Sequence, residues 1–190
     1  MLFRSEFVRI SQPYQFRVQN DDHLFVENRI SMVDKNIFDV FDFRWIAGNP
    51  QEALNEPFTV VINRTTALKY FGTTDVLNKS VKFLTDRGKV DIRITGVIED
   101  MPHNAHFHLD FLASMKTSQY TFNERELNNW GELTVYNYFL LPREVPIEQI
   151  REKTPEFVEK TFGKEEVKDM TYRYQPLFDI HLKSNTRFEF

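Results

Sequence analysis

The chain has 190 residues, of which 41% are hydrophobic, 15% aromatic and 27% charged. This length corresponds to one domain of about 150 residues, or to one domain with an inserted subdomain, and the composition excludes disorder as the main state. The 24 basic and 28 acidic residues give a formal net charge of −4 without a basic block, which disfavours nucleic-acid binding, and the absence of cysteine excludes disulfides and thiol catalysis.

The first third of the chain is predicted to be mainly extended. Its β-rich segments are predicted over residues 6–10, 14–19 and 24–33. Pro13 separates the first two of these segments. A short helix is predicted next, over residues 36–41, with Asp34 as its N-cap. Several strands therefore precede any substantial helix.

A strand, a tight turn and a helix are predicted in close succession after residue 57. Residues 58–62 are a continuous apolar run of strand length, and Asn63 stands where a helix N-cap is needed. Apolar residues at helical spacing continue to Phe71, and Gly72 ends the helix. Because the cap satisfies backbone N–H groups without a ligand, we interpret this turn as structural.

A β-hairpin is predicted from residues 80–84 and 90–98, joined by a loop over residues 85–89. The clean alternation of the second strand slips at Gly96. Such a slip indicates a β-bulge or the close approach of another backbone.

The last third of the chain alternates between strands and a helix. Residues 118–131 are interpreted as a loop with at most one helical turn, and residues 133–141 as a strand. The clearest helix is predicted over residues 147–162, where Pro155 should kink or split it. A final strand over residues 171–177 would complete a β-α-β unit.

Three of the five histidines, His103, His106 and His108, form the cluster that most resembles a metal site. In a strand, His106, His108 and Asp110 would share one face. A rise of about 3.3 Å per residue would then place His106 and Asp110 about 13 Å apart, too far to bind one ion. A solvated strand face is therefore favoured, and a metal-dependent enzyme using the three histidines remains an alternative.

Other residues allow catalysis or binding without a specific pattern. The chain contains no G-x-S-x-G or H-E-x-x-H motif. Carboxylates that could act in acid-base chemistry are Glu99, Asp100, Glu124, Glu126 and Glu132. Aromatic residues that could line a groove, but by default fill the core, are Trp45, Trp130, Tyr136 and Tyr138.

Five stretches, taken in chain order, carry a family resemblance. They are residues 33–43 with 47–50, residues 60–72 with 75–79, residues 95–98 (TGVI), residues 101–112 (MPHNAHFHLDFL) and residues 175–182 (QPLFDIHL). Together they resemble the periplasmic core domain of MacB-type ABC transporter permeases, the macrolide-exporter and lipoprotein-release group, in a Bacteroidota-type variant. Val76 and Asn78 stand where that family usually has Pro and Gly.

The resemblance implies an α+β fold, with a porter-like β-α-β subdomain and an inserted mixed α/β (Sabre-like) subdomain. Residues 1–28 and 118–190 would form the porter-like part, with its N-terminal portion truncated, and residues 29–117 the insert. The resemblance also implies that the chain is an excerpt, because family members carry one membrane helix before the domain and three after it.

The implied function is mechanical and non-catalytic, with no metal, cofactor or catalytic residue in this chain. The domain would lie on the periplasmic face of the bacterial inner membrane and relay ATP-driven motion to a substrate or an adaptor during efflux. Implied partners are the ATPase subunit, the membrane helices and a homodimer or heterodimer mate. An alternative is an extracytoplasmic ligand-sensing domain of a membrane receptor, which would need an apolar pocket with convergent polar groups.

Overall fold

The structure is a computed structural model that describes residues 6–21, 23–85, 88–121, 135–163 and 173–180. Its strands are β1 (Glu6–Ser11), β2 (Tyr14–Asn20), β3 (His23–Val33), β4 (Trp45–Gly48), β5 (Thr59–Asn63), β6 (Ser80–Thr85), β7 (Gly88–Ile98), β8 (Phe111–Ser114) and β9 (Val135–Leu140). Its α-helices are α1 (Ile37–Val40), α2 (Arg64–Phe71), α3 (Ser118–Thr121) and α4 (Ile147–Phe162). One compact unit is Glu6–Leu140, and a second begins at Leu141.

Six strands of the first unit pair in a closed ring. The order is β2-β6-β7-β5-β8-β3, and β3 pairs back with β2. The β5–β7 and β3–β8 pairs are parallel, and the other pairs in the ring are antiparallel. Outside the ring, β4 pairs with β7, β1 with β3 and β9 with β1. The ring is therefore a small barrel with additional strands on its outside.

Apolar side chains from all six ring strands fill the interior of this barrel. The buried members of this cluster on the ring strands include Val18, Ile30, Met32, Val60, Ile62, Val81, Phe83, Ile92, Ile94, Phe111 and Ala113. A cavity between Phe16, Thr85 and Thr121 has a volume of about 10 Å³. That is room for roughly one water molecule. The barrel interior is therefore a packed core.

A second apolar cluster lies on the outer side of the same strands. Val33, Val61 and Leu112, which alternate with interior residues, belong to this cluster, and all three are fully buried. Ile37 of α1 and Leu109 pack with them. The first unit thus has an apolar core on each side of its sheet.

A bulge in β3 decides which of its side chains face the barrel interior. Phe16 lies opposite Glu27, whereas Tyr14 lies opposite Ile30, so β3 carries one extra residue between these pairs. The shift turns Glu27 towards the interior, where it is 8% exposed. Val26, its neighbour along the strand, is consequently 57% exposed.

The predicted irregularity at Gly96 is confirmed, and it combines a bulge with a close approach. Val60 pairs with Ile94 and Val61 with Gly96, which leaves one extra residue in β7. A Cβ atom at Gly96 would lie 2.4 Å from Cζ3 of Trp45. The indole ring of Trp45 therefore packs where only glycine leaves room.

The predicted strand, turn and helix around Asn63 are confirmed as β5 and α2. The Asn63 side chain accepts a hydrogen bond from the Thr66 backbone N–H at 2.8 Å, and Gly72 ends the helix. The predicted N-terminal strands correspond to β1, β2 and β3, and the predicted hairpin corresponds to β6 and β7. Residues 86 and 87 of the predicted hairpin loop lie outside the described residues.

The predicted N-cap role of Asp34 is wrong. Helix α1 begins after Asn36 and has no side-chain cap. The Asp34 carboxylate instead accepts hydrogen bonds from the backbone N–H and the guanidinium of Arg9, each at 2.9 Å. A bidentate, charge-assisted contact with the Arg9 guanidinium is stronger than a hydrogen bond from a neutral backbone N–H at the start of the helix.

The predicted helix over residues 147–162 is confirmed as α4, which lies in the second unit. Pro155 lies inside α4, and the helix continues through it without being split. The hydroxyl of Thr154, just before the proline, makes two hydrogen bonds. Its Oγ1 donates to the Ile150 carbonyl oxygen at 2.9 Å and lies 2.7 Å from the Tyr174 hydroxyl oxygen.

The predicted strand over residues 171–177 is wrong in its described part. Residues 173–176 form no strand, and Leu177–Asp179 is a 3₁₀ turn. Pro176 immediately before the turn has no backbone N–H to donate to a sheet. Residues 171 and 172 lie outside the described residues.

The predicted loop and strand before α4 are described only in part. Helix α3 is a single helical turn, as predicted, and β9 corresponds to the predicted strand over residues 133–141. Residues 122–134 of these two segments lie outside the description. In the described parts of the chain, no helix is long and apolar enough to cross a membrane.

Candidate functional site

The histidine cluster is not arranged as the sequence predicted. The strand expected for His106, His108 and Asp110 begins only at Phe111, so these three side chains do not share a strand face. Nε2 of His106 lies 2.8 Å from the hydroxyl oxygen of Tyr138, whereas His103 is exposed. Within the described ranges, no group of three or more histidine, aspartate or glutamate side chains is placed to hold a metal ion.

Tyr138 is a neutral hydrogen-bonding partner for His106. Burial is the main cause that raises the pKa of Tyr138, so the phenol stays protonated at neutral pH. The ring of Tyr138 also packs edge-on against Phe41, with 5.3 Å between the ring centroids. Tyr138 thus packs in the outer apolar cluster, and the ring of His106 lies against it, with 5.7 Å between the ring centroids.

The predicted acid-base candidates Glu99 and Asp100 both bind the start of α2. Glu99 accepts from the guanidinium of Arg64, at 2.7 Å from Nε, and this hydrogen bond is the main cause that lowers the pKa of Glu99. Asp100 accepts from the backbone N–H and the hydroxyl of Thr65, at 3.1 and 2.8 Å. Both carboxylates therefore hold the end of β7 to α2. Glu124, Glu126 and Glu132 lie outside the described residues.

Two of the aromatic candidates, Trp45 and Tyr138, belong to the outer apolar cluster. Trp45 packs edge-on against Phe38, with 4.8 Å between ring centroids. Tyr136 is partly buried on β9, and Trp130 lies outside the described residues. The two clustered aromatics fill the core and do not line a groove.

A partly buried ionic contact that the sequence did not predict joins α2 to β3. Glu27 accepts hydrogen bonds from Nζ of Lys69 and from the hydroxyl of Tyr70, each at 2.6 Å. Nζ of Lys69 also lies 4.6 Å from the centroid of the Phe25 ring. Burial is the main cause that raises the pKa of Tyr70, and Glu27 adds to it, so the hydroxyl remains a donor. We call Glu27, Lys69 and Tyr70 the α2 anchor.

Asn63 and Asp110 extend the polar contacts of α2. The amide of Asn63, 5% exposed, donates to Oδ1 of Asp110 at 2.8 Å while its oxygen caps the helix. Burial raises the pKa of Asp110, and the hydrogen bond from Asn63 partly opposes that effect. Their arrangement fixes α2 on the barrel.

The raised pKa of Asp110 leads to a testable pH dependence. The folded protein holds this proton more tightly than the unfolded chain does, so the contribution of Asp110 to stability falls as pH rises through its folded pKa. We therefore expect Asp110→Asn to raise the free energy of unfolding at pH 7, with a gain that shrinks at pH 3. Urea unfolding of both proteins across this range measures the difference.

Asp91→Asn removes a surface carboxylate and controls for the changed net charge in that experiment. Its side chain is 66% exposed and pairs with Lys82. A stabilising effect of Asp110→Asn that is as large at pH 3 as at pH 7 would contradict the assignment to the buried carboxylate.

Both the sequence and the fold of the chain are similar to those of known proteins. The family model described as the MacB-like periplasmic core domain matches residues 4–156. A domain ascribed to a permease of Porphyromonas gingivalis is 26% identical, with a TM-score of 0.70, and the match covers 85% of this chain and 72% of that one. No curated protein matches the chain.

Two further solved structures share the fold at lower identity. The periplasmic region of MacB from Actinobacillus actinomycetemcomitans is 14% identical, with a TM-score of 0.56 over 87% of this chain and 77% of that one. The extracellular domain of the noncanonic ABC-type transporter YknZ from Gram-positive bacteria is 15% identical, with a TM-score of 0.54 over 84% and 78%.

These findings confirm the resemblance drawn from the five motifs and the predicted α+β fold with porter-like and Sabre-like parts. The family match spans well over half of the chain and includes both the barrel and most of α4. The chain therefore belongs to the family of MacB-like periplasmic core domains, the extracytoplasmic domains of ABC transporter permeases.

Proposed function

We propose that this domain relays the ATP-driven movement of membrane helices to an extracytoplasmic substrate or adaptor, and that it is not itself catalytic. MacB-like domains belong to ABC transporters, which work with ATPase subunits. On this proposal the domain stands on the periplasmic face of the inner membrane, pairs with a homologous or identical mate and takes part in efflux. The closed, filled barrel is the observation that carries the proposal.

A relay must move as one body, because deformation would absorb the motion. Each ring strand has a hydrogen-bonded neighbour on both sides, so the barrel cannot open without breaking a strand pair. The packed interior resists compression, since protein cores are as dense as organic crystals. The α2 anchor adds a partly buried ionic contact between a helix and the barrel wall.

We also propose the subdomain division implied by the family resemblance. Residues 1–28 and 118–190 would be the porter-like part, and residues 29–117 the inserted Sabre-like part. The hairpin of β6 and β7 and helix α2 lie within residues 29–117, and β2 and the first part of β3 would connect the two parts within the ring.

Spin-label distances test the relay in the complete transporter. Because this chain has no cysteine, single cysteines can be placed at the exposed Lys35 and Asp75. We expect the Lys35–Asp75 distance within one domain to stay unchanged between the nucleotide-free and ATP-trapped states. The distance between the Lys35 labels of two paired domains should change.

Two results would contradict the relay. A Lys35–Asp75 distance that shifts or broadens with ATP would mean that the domain deforms. Unchanged distances both within and between domains would mean that ATP does not move it. ATP hydrolysis by the labelled transporter, measured beside the unlabelled one, controls for damage by the labels.

A further inference from the structure

The outer surface of β2, β3 and β6 carries an exposed arginine between two apolar side chains. Arg17 on β2 lies directly opposite Val26 on β3 and opposite Leu84 on β6. Val26 is 57% exposed and Leu24, two residues earlier on the same side of β3, is 51% exposed. We call Arg17, Leu24, Val26, Lys82 and Leu84 the Arg17 face.

Arg17 differs from the other cations of this surface because it lacks a partner. Among the described residues, it forms no hydrogen bond or ion pair. Lys82, by contrast, pairs with Asp91 at 2.7 Å, and Lys89 donates to Gln19 at 2.9 Å. The guanidinium of Arg17 is therefore available for a carboxylate from another molecule.

The charge around Arg17 favours an acidic partner. In the described parts of β2, β3, β6 and β7, the carboxylates are Asp91 and Glu27, and Glu27 is buried on the opposite side of the sheet. The exposed basic side chains on the outer side of β2, β6 and β7 are Arg17, Lys82, Lys89 and Arg93. This surface is thus locally positive on a chain whose formal net charge is −4, which attracts acidic groups.

We propose that the Arg17 face binds a protein segment that presents carboxylates beside apolar side chains. Arginine can bind a carboxylate with two parallel hydrogen bonds, and Leu24 and Val26 offer apolar contacts roughly 7 Å apart. Arginine is also among the residues that contribute most to binding at protein interfaces. This inference deepens the proposed function and rests on it, since it names the surface that meets the extracytoplasmic partner.

The geometry selects a protein segment over a lipid surface or a strand-pairing peptide. Binding to anionic lipid depends on clusters of at least about four basic side chains. Here Lys82 is neutralised by Asp91, and Arg17 is set among apolar neighbours. Strand β2, which carries Arg17, is paired on both sides, by β3 and by β6. The partner is therefore recognised by its side chains.

Photo-crosslinking tests the proposal in cells that produce the complete transporter. The photoreactive amino acid p-benzoylphenylalanine replaces Val26, and the crosslinked segment is identified by mass spectrometry. We expect an extracytoplasmic protein segment with carboxylates next to apolar residues. Arg17→Glu should lower the crosslinking yield at least tenfold, and exchanging the partner's carboxylate for arginine should restore it.

Matched variants keep the test interpretable. Lys35→Glu makes the same change of charge on the exposed residue before α1, away from the face, and should leave the yield unchanged. Arg17→Gln removes the charge without reversing it, and thermal unfolding checks that each variant is folded.

A crosslink to lipid, to a second copy of this chain or to a segment without carboxylates would overturn the proposal, as would a yield that Arg17→Glu does not lower. The spin-label distances would still test the relay separately.

Discussion

Replacing Gly48 by alanine is expected to lower the free energy of unfolding by about 4 kcal/mol, because two costs combine at this position. Gly48 has a φ of +97°, a conformation that a residue with a Cβ atom adopts only under strain. It also lies opposite Gly96, and an added Cβ would be 2.5 Å from the Thr95 carbonyl oxygen. Backbone cannot move aside as a flexible side chain can, so β4 would have to separate from β7.

Gly72→Ala measures the cost of a positive φ without the cost of a close backbone contact. Gly72 also has a positive φ, of 68°, but nothing lies within 4 Å of the Cβ that alanine would add. Its replacement should therefore cost only about 1 to 2 kcal/mol. Urea denaturation followed by circular dichroism measures both variants. Equal losses at Gly48 and Gly72 would show that the close approach to Thr95 contributes nothing.

Replacing Phe111 by alanine is expected to cost about 3 to 5 kcal/mol, because it leaves a cavity in the centre of the barrel. The Phe111 side chain is fully buried, and its ring packs edge-on against Tyr70 and Phe83, each with 5.9 Å between centroids. Tyr70 belongs to the α2 anchor, so the loss would loosen the helix together with the barrel. The same denaturation experiment measures it.

Phe7→Ala is the matched control for Phe111→Ala. Phe7 is 40% exposed, and its main aromatic contact is a tilted ring pair with Phe139 at 5.1 Å. We expect a loss of at most about 1.5 kcal/mol, the contribution of one such pair. A loss as large as that for Phe111→Ala would argue against the packed barrel as the main source of stability.

Elements specified by neighbouring residues could be predicted from the sequence. Asn63 and Gly72 limit α2 because helix caps act over a few residues, and the predicted bounds of α4 match the structure. The segment before Phe111 has the alternation of a strand, and Phe107 and Leu109 are buried as that pattern predicts. Alternation reports burial, however, and it does not report whether a neighbouring strand is present to pair with.

The contacts that hold the candidate site together join residues far apart in the sequence. Asp34 binds Arg9, 25 residues away, and Lys69 reaches Glu27, 42 residues away. Glu27 faces inwards only because β3 carries a bulge, which nothing in its local sequence marks. Likewise, Arg17 is recognisable as an unpaired cation only once its strand neighbours are known.

Closure of the ring determines which step of folding is slow. Strand β2 ends at Asn20 and pairs with β6, which begins at Ser80, so about 60 residues separate the partners. During synthesis and export, β2 and the β3 hairpin it forms emerge long before β6 exists to cover them. Bringing such distant segments together carries a large entropic cost, which slows folding. The rate-limiting event should therefore be the joining of β2 to β6, and until then the barrel's interior side chains stay accessible to chaperones and proteases.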